Sequence, residues 1–264
     1  MNNVVYNSIG KNYNKNRTAD PRILASIKKL VALPEGSVIA DIGAGTGNYA
    51  NALAETGYRI KAVEPSGEMI RQARPNNNVE WIKAAAESIP LADDSVSGVI
   101  VILAIHHFSD IGTAAKEIAR ICPKGPVVFF TMDPRESEDF WFNTYFPEIA
   151  QHVLRSFPPL SEVVNAVAGI GKWSGMIKPF PLPPDLTDKN MCSVWNRPEL
   201  YLEAEMRQNT SGFALASSAV VLQRLSKLQA DLKSGEWDKR YGNLRVRPYF
   251  DAGFRFLTFR SRPD

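Results

Sequence analysis

Cysteine is scarce in the sequence, which has only Cys122 and Cys192 among 264 residues. Neither has a second cysteine or a histidine close by in the chain, so neither a disulfide framework nor a zinc site is indicated. We therefore expect no metal centre, and the cysteine usage fits a protein of the reducing cytoplasm.

Long apolar runs and a large excess of charge are missing as well. No segment approaches the roughly 18 apolar residues typical of a membrane-spanning helix, and the start Met1-Asn2-Asn3 has neither the basic nor the apolar region of a signal peptide. The formal net charge is only +3, whereas proteins of nucleic-acid or membrane surfaces usually carry a basic patch. We expect a small-molecule partner, no nucleic acid and no membrane; monomer and dimer both stay open.

What the sequence does contain is a glycine-rich stretch, V-I-A-D-I-G-A-G-T-G-N-Y, from Val38 to Tyr49. A short apolar run typical of a buried strand leads through Gly43, Gly45 and Gly47 into a segment with helical periodicity. Glycine permits a positive φ and lets a ligand lie against the backbone, and the first turn of a helix offers free N–H groups. This arrangement predicts a nucleotide-like ligand.

Two ligand classes share this kind of turn, and the glycine spacing separates them. Dinucleotide folds favour G-x-G-x-x-G, whereas the third glycine here comes one residue earlier. Glu64 follows a second apolar-rich run, Arg59 to Val63, where an acid is placed to accept hydrogen bonds from both hydroxyls of a ribose. Together with this acid, the D-I-G-x-G-x-G form resembles the S-adenosylmethionine-binding motif of class I methyltransferases.

The resemblance implies an α/β fold with a doubly wound, mostly parallel seven-stranded sheet, and S-adenosylmethionine as cofactor. It also implies an N-terminal lid in which a Tyr and an Arg lie over the methionine part of the cofactor, although an ordinary amphipathic lead-in is an equally open interpretation of that segment. The predicted cofactor contacts are Tyr13, Arg17, Asp41, Gly43, Ala44, Gly45, Gly47, Glu64, Pro65, Ala86, Glu87 and Ile102.

The segment from Ala84 to Leu91, A-A-A-E-S-I-P-L, is similar to the family's G-D-A-E-x-L-P segment. In the family, the acid of that segment usually reaches the adenine amino group, but Ala85 stands at its position here. The resemblance therefore leaves recognition of adenine to backbone groups near Ala86 and to Glu87.

A continuous apolar run from Ser97 to Ala104 predicts a central parallel strand. It ends in Ile105-His106-His107-Phe108, similar to the L-H-H-F of the type 11 methyltransferases. Because ligands of open parallel sheets bind beyond the carboxyl ends of the strands, we predict His106 as a catalytic base and substrate contact. His107 is predicted to point the opposite way, and a purely structural role is the alternative for either histidine.

From about Gly43, strands and helices alternate, which predicts an α/β fold with right-handed crossovers. The pattern changes after the fifth strand, and we predict cap helices over Ser137 to Arg155, Leu160 to Ile170, Pro198 to Arg207 and Ala214 to Leu232. Trp173 to Leu182 is the sixth predicted strand, and Gly253 to Arg260 is predicted to pair antiparallel as the seventh. The expected units are a lid and lead-in helix (1–36), a cofactor-binding core (37–132), a cap (133–252) and the last strand (253–264).

A Pro-rich connection, residues 178–199, lies between the last two predicted strands. Long loops of this kind are usually functional or disordered. Its Asp-x-x-Asp, Trp and Arg-Pro-Glu-x-Tyr-Leu pattern resembles a bacterial branch of type 11 methyltransferases, some of them in natural-product gene clusters. We predict that it lines the acceptor site, and a surface insert that caps the sheet edge is the alternative. The predicted substrate contacts are His106, Phe140, Trp141, Asp188, Trp195 and Tyr201, with His106 and Asp188 as catalytic bases.

The resemblance thus implies methyl transfer from S-adenosylmethionine to an oxygen or nitrogen of a small molecule. It also suggests a pathway, the biosynthesis of antibiotics or other secondary metabolites. Two other classes stay open. A nicotinamide oxidoreductase would share the fold but not the glycine spacing, and a non-catalytic protein that binds S-adenosylmethionine would explain the departure at Ala85.

Overall fold

The computed structural model describes residues 18–170, 173–208 and 211–261; the predicted contacts Tyr13 and Arg17 lie outside this part of the chain. One seven-stranded sheet, in the order β3-β2-β1-β4-β5-β7-β6, organises the molecule. Its strands are β1 (Val38–Ile42), β2 (Arg59–Val63), β3 (Val79–Ile82), β4 (Gly98–Ile102), β5 (Val127–Met132), β6 (Trp173–Pro179) and β7 (Phe254–Ser261).

Strand direction in the sheet confirms the predicted fold class. The first five strands pair in parallel, while β7 lies antiparallel between β5 and β6. Crossover helices on both faces keep the central strands out of water, which explains the unbroken apolar runs of β4 and β5. The carboxyl ends of the parallel strands therefore meet at one edge of the sheet.

Eleven α-helices lie in the described residues. They are α1 (Pro21–Val31), α2 (Asn48–Ala54), α3 (Gly67–Arg71), α4 (Ile111–Ile121), α5 (Trp141–Tyr145), α6 (Pro147–Ser156), α7 (Leu160–Ala168), α8 (Ala204–Gln208), α9 (Ser211–Leu215), α10 (Ser218–Ser234) and α11 (Glu236–Tyr241). None of these helices is long and apolar enough to cross a membrane.

Two apolar cores cover the two faces of the sheet. One contains buried residues of α1 and α2 and continues into the aromatic interior of the cap. The other contains buried residues of α4 and α7 packed against β4 and β5. The fold is therefore doubly wound, and the cap shares a core with the sheet.

The predicted helix from Leu160 to Ile170 is present as α7, whereas other predicted cap helices are broken in the structure. The helix predicted from Ser137 to Arg155 divides into α5 and α6 at Phe146, because Pro147 begins a new first turn. Pro198 begins a 3₁₀ segment, Pro198–Leu202, before α8. Helix α4, in contrast, runs unbroken over Ile111–Ile121, with Asp110 accepting a hydrogen bond from Thr113 N–H at its start.

Candidate functional site: a cavity at the carboxyl ends of the parallel strands

The glycine-rich stretch forms the turn between β1 and α2. Gly43, Gly45 and Gly47 all have positive φ, of 75°, 59° and 79°, a region that other residues enter only at a cost. A Cβ on Gly43 would lie 2.5 Å from Ala104 Cβ. On Gly45 it would meet no atom within 4 Å, so the turn is closed towards β4 and open at Gly45.

Glu64 follows β2 and lies across this turn. Its carboxylate accepts hydrogen bonds of 2.9 Å from Gly45 N–H and from Ser66 N–H. Burial raises the pKa of this carboxyl, while the two backbone donors work against that rise. These two hydrogen bonds fix the acid at the tip of the second strand against the glycine turn.

Asp41, in β1, and Thr46, in the turn, are buried polar residues with an unsatisfied atom. Asp41 Oδ1 and Thr46 Oγ1 have no hydrogen-bond partner among the described residues, although the two residues are only 2% and 3% exposed. Burial and the nearby charge of Glu64 raise the pKa of Asp41 to about 7. A ligand that supplies a donor or a positive charge would satisfy these groups.

A cavity of about 460 Å³ lies at this edge of the sheet. Of the predicted cofactor contacts, those that line it are Asp41, Gly43, Ala44, Gly45, Glu64, Pro65, Ala86, Glu87 and Ile102. Gly47 is not on its wall: it is the N-cap residue of α2, and a Cβ placed on it would stand 2.7 Å from the Trp81 ring. The lining residues missed by the sequence analysis are Thr18, Thr46, Asn48, Tyr49, Ser66, Met69, Leu103, Ala104, Phe108 and Ser109.

Some of the missed residues had a signal in the sequence. Thr46 and Asn48 belong to the glycine-rich stretch itself, and Ser66 was recognisable as a helix start, where its Oγ accepts from Met69 N–H. Thr18 follows Arg17 in the predicted lid segment, but it is far from the glycine-rich motif in sequence and nothing in its residue type indicated a contact.

Glu87 connects two loops at the edge of the cavity. Its Oε1 accepts from Ser109 N–H at 2.6 Å, Ser109 Oγ at 3.0 Å and Asp110 N–H at 3.2 Å. Ala85 and Ala86 line the cavity beside it. Glu87 therefore holds the loop after β4 against the loop after β3.

The two histidines lie differently from the prediction, since His107 and not His106 lines the cavity. Leu103 has a φ of 51° directly after β4, and the chain then forms a 3₁₀ turn, Ile105–His107, instead of continuing the strand. This reversal carries the His106 ring onto Phe157, with the ring centroids 4.1 Å apart. Burial lowers the pKa of His107 to about 4, so its ring is neutral at pH 7.

Asp188 brings the Pro-rich connection to the cavity wall. This carboxylate is 1% exposed, and its Oδ2 accepts a hydrogen bond of 3.2 Å from the hydroxyl of Tyr49, in α2. The same hydroxyl accepts from Asp20 N–H at 3.3 Å. Tyr49 thus joins the cofactor-motif helix to the cap.

Asp20 anchors the rest of this connection to the start of α1. Its Oδ2 accepts from Thr187 N–H at 3.0 Å and Thr187 Oγ1 at 3.2 Å. Arg22 bridges Asp20 and Asp185. Side-chain hydrogen bonds from Arg22 and the backbone donors hold the pKa of Asp20 at about 2, against the effect of burial. The position of Asp188 therefore depends on contacts between distant parts of the chain.

Comparison with known proteins decides the family. A family model described as a methyltransferase domain matches residues 40–130. The solved structure of a protein from Anabaena variabilis, described as a methyltransferase from an antibiotic biosynthesis pathway, is 44% identical, with a TM-score of 0.91. The match covers 94% of this chain and 100% of that one. The chain belongs to the class I S-adenosylmethionine-dependent methyltransferases.

Curated relatives of this methyltransferase match a smaller part. YcgJ of Bacillus subtilis, described as an uncharacterized methyltransferase, is 30% identical over 169 residues, 62% of either chain. The ubiquinone/menaquinone biosynthesis C-methyltransferase UbiE of Rubrivivax gelatinosus is 35% identical over 99 residues, 37% of this chain. The methyltransferase thus spans between 39% and 62% of the length of these relatives.

The cofactor of this methyltransferase family, S-adenosylmethionine, fits the residues present. Gly45 leaves room for a ligand against the backbone, Glu64 has acceptor capacity beyond its two backbone bonds, and Asp41 Oδ1 is an acceptor lacking a partner among the described atoms. Among the described residues, no group of three or more His, Cys, Asp or Glu side chains is arranged to hold a metal ion.

The aromatic residues predicted to contact the acceptor lie in the core of the methyltransferase cap. Phe140, Trp141, Trp195 and Tyr201 are buried in its apolar interior and are not among the residues that line the cavity. Trp141 Nε1 donates to Trp195 C=O at 2.6 Å, and Tyr201 hydroxyl donates to Met191 C=O. Their assignment as acceptor contacts, like that of His106, stays a prediction that this placement does not support.

Proposed function

We propose that the protein transfers the methyl group of S-adenosylmethionine to an oxygen or nitrogen of a small-molecule acceptor bound beside Asp188. One observation supports this proposal above the others: the same cavity is lined by the glycine turn, by Glu64 and by Asp188 from the cap. Cofactor-motif residues and a buried carboxylate of a distant segment therefore face one space.

Different residues of the cavity would bind different parts of the cofactor and the acceptor. Glu64 and the turn around Gly45 would hold the ribose part of the cofactor, and Ala86 and Glu87 its adenine side. When bound, the cofactor supplies an electrophilic methyl group, so the protein mainly has to align the acceptor and exclude water. Asp188 would hold the acceptor and accept the proton that an oxygen or nitrogen nucleophile loses.

The likeness to the Anabaena protein supports a narrower proposal. Its description places that protein in an antibiotic biosynthesis pathway, and it is 44% identical over 94% of this chain. We extend that role to this protein, so that the acceptor is an intermediate of a specialised biosynthetic pathway.

The proposal is tested by turnover and binding together. Calorimetry should show binding of S-adenosylhomocysteine, and a panel of small hydroxyl and amine compounds should release S-adenosylhomocysteine from S-adenosylmethionine. Asp188→Asn should reduce that turnover by about 100-fold or more, the usual contribution of a general base, with little change in cofactor affinity.

Two results would contradict it. Binding without turnover on any acceptor would favour a non-catalytic S-adenosylmethionine-binding protein. Turnover that Asp188→Asn leaves unchanged would remove Asp188 from the chemistry.

A further inference from the structure

The titratable residues on the cavity wall are strongly biased towards negative charge. Four carboxyl groups line it, those of Asp41, Glu64, Glu87 and Asp188. Asp41 is partly protonated at pH 7, because burial and the charge of Glu64 raise its pKa to about 7. No lysine or arginine is among the lining residues in the described part of the chain. His107 adds no charge, because burial lowers its pKa to about 4. An anionic ligand would meet repulsion here, and a cationic one attraction.

A second observation points to a ligand rather than to a solvated acidic surface. Asp41 Oδ1 and Thr46 Oγ1 are buried on the wall without hydrogen-bond partners among the described residues. The charge of Glu64 contributes to the raised pKa of Asp41, as expected where negative charges crowd in a region of low dielectric constant. On this wall, Asp41 Oδ1 would be satisfied by a ligand group that donates a hydrogen bond or carries positive charge, and Thr46 Oγ1 by a donor or an acceptor.

The four acids are not equivalent. Asp41 lies in β1 and Glu64 directly follows β2, both in the cofactor motif, and Glu87 accepts hydrogen bonds from Ser109 N–H and Asp110 N–H. Asp188 alone among them comes from the cap, and Tyr49 holds its Oδ2. Because Asp20 also anchors Thr187 next to it, contacts within the protein hold the Asp188 carboxylate at the cavity.

We propose that the acceptor is an amine, which binds as an ammonium ion with its charge at Asp188. This inference rests on the proposed function and names its substrate class. The Asp188 carboxylate would repel an acceptor that carries a phosphate or a carboxylate beside it. It would favour an ammonium over a neutral hydroxyl, because charge-assisted hydrogen bonds are stronger.

The chemistry balances without another reactant. The Asp188 carboxylate takes one proton from the ammonium, which gives a neutral amine with a lone pair. The amine nitrogen then forms the bond to the methyl carbon while the carbon–sulfur bond breaks and its electron pair goes to sulfur. The products are an N-methylated ammonium and a neutral sulfide, and the proton on Asp188 returns to solvent.

The test measures the charge preference of the acceptor site directly. The full-length protein, saturated with S-adenosylhomocysteine, is titrated with sets of small compounds that share a carbon skeleton and differ in carrying a primary ammonium, a hydroxyl or a carboxylate. Ligand-observed NMR gives the dissociation constants. We expect at least one ammonium compound to bind 10-fold or more tightly than its matched alcohol, and the carboxylates to bind more weakly still.

Asp188→Asn and Asp185→Asn form a matched pair of variants. Both remove one negative charge from the same loop, but Asp185 is exposed, pairs with Arg22 and does not line the cavity. Asp188→Asn should reduce the ammonium-to-alcohol ratio to about one, and Asp185→Asn should keep it. Thermal unfolding of both variants would show that they fold.

The outcomes separate this inference from the proposed function. Equal binding of ammonium and alcohol, preference for a carboxylate, no binding in any set, or an ammonium preference that survives Asp188→Asn would each overturn the amine assignment. Failure of the protein to bind S-adenosylhomocysteine would instead overturn the proposed function.

Discussion

The cofactor-binding core and the cap contribute to the cavity in different ways. In the core, predicted as residues 37–132, contacts come from strand ends and tight turns, where Gly45 and Glu64 are close in sequence to the strands that place them. In the cap, most of the conspicuous aromatic residues fill a shared interior, and Asp188 reaches the cavity through side-chain contacts with Tyr49. A motif can thus specify the cofactor half, while acceptor residues depend on how distant segments pack.

The largest effect should come from the core. Glu64→Ala should weaken binding of S-adenosylhomocysteine by about 3 to 6 kcal/mol, since in the proposed binding mode it removes two hydrogen bonds from ribose hydroxyls to a charged acceptor, each about 1.5 to 3 kcal/mol. Calorimetry measures the affinity. Glu80→Ala is the matched control, because Glu80 is exposed on β3 and pairs with Lys61. Unchanged affinity in Glu64→Ala would disprove the ribose assignment.

A substitution in the cap interior should instead lower the stability of the fold and leave cofactor affinity unchanged. Trp195→Ala should lower the free energy of unfolding by about 3 to 5 kcal/mol, because Trp195 is fully buried and stacks on Phe250. Urea denaturation measures this, and Leu222→Ala, at an exposed cap position, should change it by less than about 0.5 kcal/mol. Weaker acceptor binding at unchanged stability would place Trp195 on the cavity wall.

Asp41 should make the core less stable as pH rises. Burial and Glu64 raise its pKa from 3.8 to about 7 in the folded protein. Between these values the folded state holds a proton that the unfolded chain has lost. The resulting stability is fully present below about pH 4 and is lost as pH rises through about 7, in total up to about 4 kcal/mol.

Urea denaturation of the cofactor-free protein at pH 5 and pH 8 checks this dependence. Wild-type protein should be less stable at pH 8, and Asp41→Asn should reduce the difference while weakening cofactor binding. An identical difference in both proteins would show that Asp41 ionises in the folded state near its ordinary pKa.

The smallest expected effects distinguish two glycines within the core. Gly43→Ala should lower the free energy of unfolding by about 3 kcal/mol, because its Cβ would stand 2.5 Å from Ala104 Cβ and overpacking adds to the cost of positive φ. Gly45→Ala meets open space and should cost about 1 kcal/mol of stability. The methyl group of Gly45→Ala would nevertheless occupy the space that the cofactor needs, so this variant should lose more free energy of cofactor binding than of folding. Urea denaturation measures both variants. Equal losses of stability in Gly43→Ala and Gly45→Ala would contradict the conclusion that the turn is closed at Gly43 and open at Gly45.

The sequence by itself determined the features that depend on local geometry. Three glycines, the acid Glu64 and a helix start at Ser66 are recognisable because positive φ, strand ends and capping each demand particular residue types within a few positions. The unbroken apolar run from Ser97 to Ala104 predicted the parallel strand β4, and the last stretch predicted β7, whose antiparallel pairing is confirmed. These features follow from backbone sterics and burial, which a short window of sequence contains.

The tertiary structure decided what depends on direction and on distant partners. His106 and His107 are adjacent, and a positive φ at Leu103 with the 3₁₀ turn after it selects which ring faces the cavity. Trp195 and Asp188 lie in the same loop, yet packing buries the former in the cap while Tyr49 and Asp20 fix the latter and its neighbour at the cavity. A residue's type is local, whereas its orientation is set by the side chains that the fold brings against it.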